Sequence, residues 1–425
     1  MEPTGTPDDD SAAYRPDGQA VDFLARLTRL LLSCSGEGTH LIEQTVGRAG
    51  DAFGHPTTLL MVPEGAVLSV RPPAPAPTTV TVTVRAVPEV FRLDRVVALK
   101  DLVRAIDDGR CPLPRARAEL ARIEELPAPY GPWWKLAGIT LFALGFAPLM
   151  QPTWWEIGAT AVLGLWSAAL AVAADRLPRL ALLLPLLAAF TVAVLTLEIF
   201  ARTPVHGGPV LIMLPALFFF VPGDYLSAAA AELSAGLMTT GAIRLVYAVF
   251  LLVQLYVGVL LGVAVTGSST RRLFDVAAAA DLPRWALFCG WIIFTVGTVL
   301  AFAIPYRLAP LLLLLVYVTV GVQSLVTKAA GEVAGTFAAA VVLAALANLL
   351  SRRPSMPPRP VLLLPGFFTL TVGSLGMRGL TTLAGGHVIA GFTDLLKLVS
   401  IVTAIALGLV AGAVLSTPRR QLARH

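Results

Sequence analysis

The sequence is poor in charge. Asp, Glu, Lys and Arg make up 14% of its 425 residues against 56% hydrophobic residues, and the mean hydropathy is +0.76. That balance excludes a wholly soluble globular protein and assigns most of the chain to a bilayer. Cysteine is nearly absent too. Cys34, Cys111 and Cys289 lie far apart, form no CxxC and have no neighbouring histidine cluster, which excludes a disulfide framework or a zinc site and leaves free thiols. No Walker motif and no GxSxG occurs, so ATP drive and elbow-type hydrolysis have no support. We expect no enzyme, no cofactor and no metal. The net charge of +5 is spread as arginines between apolar runs, a pattern of membrane flanks rather than of a nucleic-acid surface.

What is present begins with residues 1–20, rich in Pro, Gly and Asp and expected to be disordered. The opening MEPTGTPDDD is acidic and has no apolar core, so we expect no cleavable signal and a cytoplasmic first segment. Residues 21–130 have the composition of an ordinary soluble domain. Apolar residues at helical spacing in VDFLARLTRLLLSCSG and THLIEQTVGRAGDAFG predict two helices. Three short β-branched strands and two further helices follow, giving a small α+β domain. Thr39, His40 and Glu43 share a helix start but have no orienting third group, and we read them as solvated polar residues.

From Trp133 onward the chain is a ladder of apolar runs, with spans expected near 135–150, 154–174, 178–201, 208–222, 241–266, 285–304, 308–326, 333–350, 360–374 and 395–416. The fourth and ninth are short and carry Pro or Gly, so we read them as broken or re-entrant. A constant offset of 150 matches Pro215 with Pro365, Phe218 with Phe368, Gly223 with Gly373, Gly236 with Gly386, Gly241 with Gly391, Gly258 with Gly408 and Gly262 with Gly412. Shared small-residue packing seldom keeps so many glycines in register. We therefore read two repeats, 131–267 and 284–417. With five spans each, an odd number, the second enters the membrane upside down. The fold class is an α-helical polytopic membrane protein of about ten transmembrane helices, a five-plus-five inverted repeat behind a small N-terminal α+β cytoplasmic domain. The basic stretches at 175–179 and 351–359 and the tail then fall inside, as positive charge should; the 269–284 loop, with three arginines, dissents.

These residues carry a family resemblance. Val221-Pro222-Gly223, Glu232, Gly236 and Arg244 in the first copy, with the "VGS" of 372–374 and "MRG" of 377–379 in the second, resemble the threonine/serine exporter family in its form with both halves fused. The resemblance covers about residues 21 to 417. It implies proton-driven export of threonine and serine from the cytoplasm across a bacterial inner membrane. The partners would be amino acid, protons and lipid but no nucleic acid; a homo-oligomer is compatible with it. In the second copy the family's proline and tyrosine are replaced, leaving Arg378 as the retained polar member. Two alternatives stay open: a dicarboxylate exporter, and an enzyme or sensor acting through the N-terminal domain.

An ionisable group inside a span costs a few kcal/mol unless it faces a cavity or a partner. Asp224 and Glu232 follow the first break at Gly223, and Arg378 follows the second at Gly373 and Ser374. A free amino acid is a zwitterion, so its site needs an anion for the ammonium and a cation or helix N-terminus for the carboxylate. Asp224 or Glu232 would supply the first or carry the proton; Arg378 and the amides near Gly373-Ser374 would supply the second. Arg244 and Asp394 occupy equivalent positions with opposite charge. We expect a structural or gating pair there, with Lys397, three residues beyond Asp394, as the competing partner. Glu156, after Trp154-Trp155, is expected at the membrane interface.

Overall fold

The computed structural model describes residues 16–34, 38–62, 65–71, 79–85, 92–151, 153–181, 183–200, 208–234, 236–269, 282–354, 356–370 and 388–416. They fall into two units, residues 1–90 with 95–126, and residues 91–94 with 127–425.

The first unit builds helix on sheet. Helix α1 (Pro16–Cys34) buries Ala20, Phe23, Leu24, Leu27, Leu30 and Leu31, the stripe that a 3.6-residue period lays along one face. It packs against α2 (Thr39–Ala52) and against an antiparallel sheet of β1 (Thr57–Val62), β2 (Gly65–Val70) and β3 (Val80–Arg85) in the order β1-β2-β3. The register runs from Thr57 opposite Val70 to Val62 opposite Gly65. The helices α3 (Leu93–Asp107) and α4 (Leu113–Glu124) follow; α4 turns Ala116, Leu120 and Ile123 inward. Arg26 of α1 bonds Glu124 through Nε at 3.3 Å and again through Nη2, which ties α4 to α1.

The second unit is a multi-pass membrane unit. Among the described residues, five helices are long and apolar enough to cross a membrane, and four shorter apolar helices accompany them. The α-helices of this unit are, in order, α5 (Pro132–Met150), α6 (Trp154–Ala174), the short α7 (Pro178–Ala181), α8 (Leu184–Glu198), α9 (Pro209–Leu217), α10 (Gly223–Ser234), α11 (Met238–Val265), α12 (Arg284–Ala301), α13 (Ala309–Ala330), α14 (Glu332–Ser351), α15 (Arg359–Thr369) and α16 (Val388–Leu415). The third expected span, 178–201, is divided between α7 and α8. Pro185 sits in the first turn of α8 and has no N–H to give the Ala181 carbonyl, the residue at which α7 ends.

The helix bounds repeat the spacing seen in sequence. Helices α11 and α16 are both 28 residues long and start at 238 and 388; α9 and α15 start at 209 and 359 and contain Pro215 and Pro365. Contacts repeat as well. Gly258 and Gly262 of α11 lie against α8, where an added methyl would meet the Leu186 carbonyl at 2.5 Å and Ala193 Cβ at 2.6 Å. Gly408 and Gly412 of α16 lie against α14, with the Phe337 carbonyl at 2.7 Å and the Val341 carbonyl at 2.3 Å. Small residues let these backbones approach closely where lipid supplies no hydrophobic drive.

Helices α5 and α12 cross at the centre. A methyl on Gly145 would lie 2.4 Å from the Phe294 amide, and one on Gly297 would lie 2.3 Å from the Phe142 amide. Gly138 meets Leu300 and Ala301, whereas Gly290 meets the Gly145 carbonyl and Pro148. Positions rising along α5 meet positions falling along α12, so the two run antiparallel. The contact is reciprocal at an offset of 152: Gly145 touches Phe294 as Gly297 touches Phe142. Around it Phe146, Phe218, Phe219, Phe302 and Phe368 form one aromatic core with Phe142. Such ring pairs are each worth about 0.5–1.5 kcal/mol beyond the area they bury.

Candidate functional site

The site grows from a broken helix. All of α9 except Leu211 is buried, and its course ends in a 3₁₀ turn, Phe218–Phe220, before Pro222-Gly223. Proline has no N–H to give the carbonyl four residues back, so Pro215 frees the Leu211 carbonyl inside a buried helix. Gln151 satisfies it. This side chain, 2% exposed just past the end of α5, donates from Nε2 to the Leu211 carbonyl and to Thr160 Oγ1 at 3.4 Å. Thr160 in turn donates to the Ile212 carbonyl at 3.5 Å. Glu156, expected at the interface, is fully buried as the N3 member of a capping box, its carboxylate accepting from the Thr153 amide at 3.1 Å.

After the break the chain turns into α10. A Cβ at Gly223 would lie 3.2 Å from the Phe367 ring of α15, and Phe218 and Phe368 stand 6.0 Å apart, so the end of α9 and the α15 helix converge. Helix α10 packs on α11, α15 and α16. Its end is set by Gly236 at φ +81, a left-handed position that glycine adopts without strain. The Gly236 amide bonds the Leu233 carbonyl at 3.1 Å and the Leu237 amide bonds the Glu232 carbonyl at 2.9 Å, which closes the helix in a Schellman turn.

That reversal folds α11 back along α10. Gly241 permits the approach, since a methyl there would sit 2.7 Å from Leu233 Cγ. One turn later Arg244 reaches Glu232, Nε to Oε1 at 3.4 Å. The carboxylate side chain is 5% exposed and the guanidinium side chain 23%. A carboxylate so buried is retained at tolerable cost only when a charge or hydrogen bonds compensate it. Tyr225 and Tyr247 brace the same hairpin, rings 5.1 Å apart.

The predicted site residues therefore divide. Gly223, Glu232 and Arg244 gather around α10. Asp224 lies in the first turn of α10 and Asp394 and Lys397 lie in α16, and their side chains are outside the described residues; so are Gly373, Ser374 and Arg378 altogether. The Glu232–Arg244 contact was not foreseen, nor was the Gln151 brace. The signal for the brace was legible: a proline inside an apolar helix leaves a carbonyl for a buried amide to claim. Among the described residues no group of three or more His, Cys, Asp or Glu could hold a metal ion.

The family model ThrE, "Putative threonine/serine exporter", matches residues 22–266, a span that includes the first break, Glu232 and Arg244. Over an alignment of 430 residues the chain is 26% identical to the "Probable threonine/serine exporter" of Mycobacterium tuberculosis (strain ATCC 25618 / H37Rv), covering 95% of this chain and 77% of that protein. No solved structure matches. With more than half of its length matched, this multi-pass membrane protein belongs to the threonine/serine exporter family, a family of transporters and not of enzymes.

Proposed function

We propose that the chain exports threonine and serine from the cytoplasm in exchange for entering protons, across a bacterial inner membrane, with its N-terminal domain cytoplasmic and regulatory. The observation that carries this reading is the family match across residues 22–266. The relative's printed name supports the same substrates. The proposed substrate and coupling region joins Gly223, Asp224 and Glu232 of the first copy to Gly373, Ser374 and Arg378 of the second, with Arg244, Asp394 and Lys397 beside it.

We read the two copies as an inverted repeat of five spans each. The antiparallel α5–α12 crossing supports this, because reciprocal contacts between equivalent residues are what a twofold axis produces. An axis relating two antiparallel spanning helices lies across them, in the membrane plane, as alternating access by one half against the other requires.

The test is export from cells that lack other exporters, fed a threonine-containing dipeptide. Cells expressing the chain should release threonine faster than controls, and a protonophore should remove the difference. Unchanged threonine release with the protein present in the membrane would refute the reading; faster release of succinate in its place would favour a dicarboxylate exporter.

A further inference from the structure

Contacts in the membrane unit are shared by the two copies in some places and lopsided in others. The α5–α12 crossing is shared, since Gly145 touches Phe294 as Gly297 touches Phe142. The rings beside it are lopsided. Phe218 and Phe368, equivalent at the offset of 150, both lie against Phe142, with centroids 6.1 Å and 5.1 Å away. Phe294, the counterpart of Phe142, has ring contacts with Phe142, Phe146 and Trp291 but, among the described residues, with neither Phe218 nor Phe368. The helices follow the rings: α9 packs on α5, and α15 has no comparable packing on α12. Both seats and both occupants are nevertheless phenylalanine, so the chain carries a second seat of the same chemistry that neither occupant uses here.

We infer that Phe142 and Phe294 are alternative seats for a gate made of Phe218 and Phe368, and that this pair of rings passes from the first seat to the second as the transporter changes the side of the membrane to which it opens. This rests on the inverted-repeat reading above. A pseudo-twofold axis in the membrane plane turns one membrane face into the other, so giving each copy the conformation of its counterpart produces the state that faces the opposite side. The Phe142–Phe218 contact then becomes Phe294–Phe368, and Phe142–Phe368 becomes Phe294–Phe218. The reciprocal glycine crossing maps onto itself and is the pivot. Two access states need two packings of similar free energy, and trading one phenylalanine seat for another meets that need. A bias is built in as well. Phe146 gives Phe218 a further ring at 4.3 Å, whereas its counterpart at the offset of 152 is Thr298, which has none. The occupants therefore rest on Phe142. Phe218 begins the 3₁₀ turn that leads to the Pro222-Gly223 break, so a change of seat moves the break with it.

The experiment captures the two seatings as disulfides in the full-length chain, in membranes, with Cys34, Cys111 and Cys289 replaced by serine and the linked peptides read by mass spectrometry. Phe142→Cys with Phe218→Cys should cross-link under mild oxidant. Phe294→Cys with Phe368→Cys should cross-link too, although those two rings do not touch in this structure, and adding Phe146→Leu should raise the yield of this second link by removing the bias. A fixed aromatic core would give the first link alone, whatever stands at 146, and that result overturns the inference. If a double variant does not reach the membrane folded, benzoylphenylalanine in place of Phe368, which keeps a ring there, decides. Its photo-adducts should fall on α5 near Phe142 and on α12 near Phe294, with the α12 share rising in Phe146→Leu; adducts on α5 alone, or a share that ignores Phe146→Leu, overturn the inference. A native chain that releases no threonine from cells while both seatings are captured overturns the export reading instead, and the exchange of seats stands.

Discussion

Phe142 and Phe294 face each other across the crossing of α5 and α12, ring centroids 5.1 Å apart, and they stand 152 residues apart, as do Gly145 and Gly297 on which they press. Each glycine is the floor for the other helix's phenylalanine. That exchange of roles makes the crossing sensitive to any added side chain.

Replacing Gly145 or Gly297 with leucine should therefore destabilise the membrane unit by about 1–3 kcal/mol or more, since the clash is with backbone and cannot be relieved by a rotamer change. Gly158→Ala and Gly321→Ala, where nothing lies within 4 Å of the added methyl, should leave stability within about 0.5 kcal/mol. Thermal unfolding in detergent, followed by loss of monodisperse protein, reads all four. Equal stability of the crossing variants and the controls would contradict the assigned packing.

The Gln151 brace gives a rescue prediction. Gln151→Leu should cost about 1–3 kcal/mol by leaving a buried carbonyl without its donor. Adding Pro215→Ala returns a backbone N–H that can bond the Leu211 carbonyl, so the double variant should regain much of the loss. Purely additive losses in detergent stability would show that Gln151 does not serve the carbonyl that Pro215 frees.

In the N-terminal unit, Lys100 of α3 is pushed down to about 8 by burial, with Arg104 adding to the effect. Its unfolded value is the ordinary 10.5, so between pH 8 and 10.5 the unfolded chain binds the extra proton and the folded domain gains stability as pH rises. Below pH 8 that gain is absent, and Lys100→Met should remove the dependence. Competitive acetylation read by mass spectrometry should place half-maximal reactivity of Lys100 near pH 8; a midpoint near 10.5 would contradict the burial.

Much of this was legible in the sequence for identifiable reasons. Long apolar runs mark spans because a bilayer demands them, and glycines at a fixed offset mark close helix contacts, as Gly258 and Gly408 make against α8 and α14. At α5 and α12 the offset is 152 rather than 150, which is why their glycines fall outside the constant-offset match. Partnerships across a chain reversal were not legible. The Gly236 turn and the small Gly241 bring Arg244 to Glu232, only 12 residues back, a contact that periodicity does not announce; the expected pairing of Arg244 with Asp394 is untouched by it, because the Asp394 side chain lies outside the described residues. Periodicity states which face a residue shares but not what lies across from it.

The proposed exchange of substrate for protons can be followed in liposomes holding the purified full-length protein, labelled threonine and a pH-reporting dye. Acidifying the outside should accelerate threonine efflux together with acidification of the lumen, and both responses should be lost in Glu232→Gln. Threonine efflux that proceeds at one rate whatever the proton gradient, with no accompanying change in luminal pH, would contradict it.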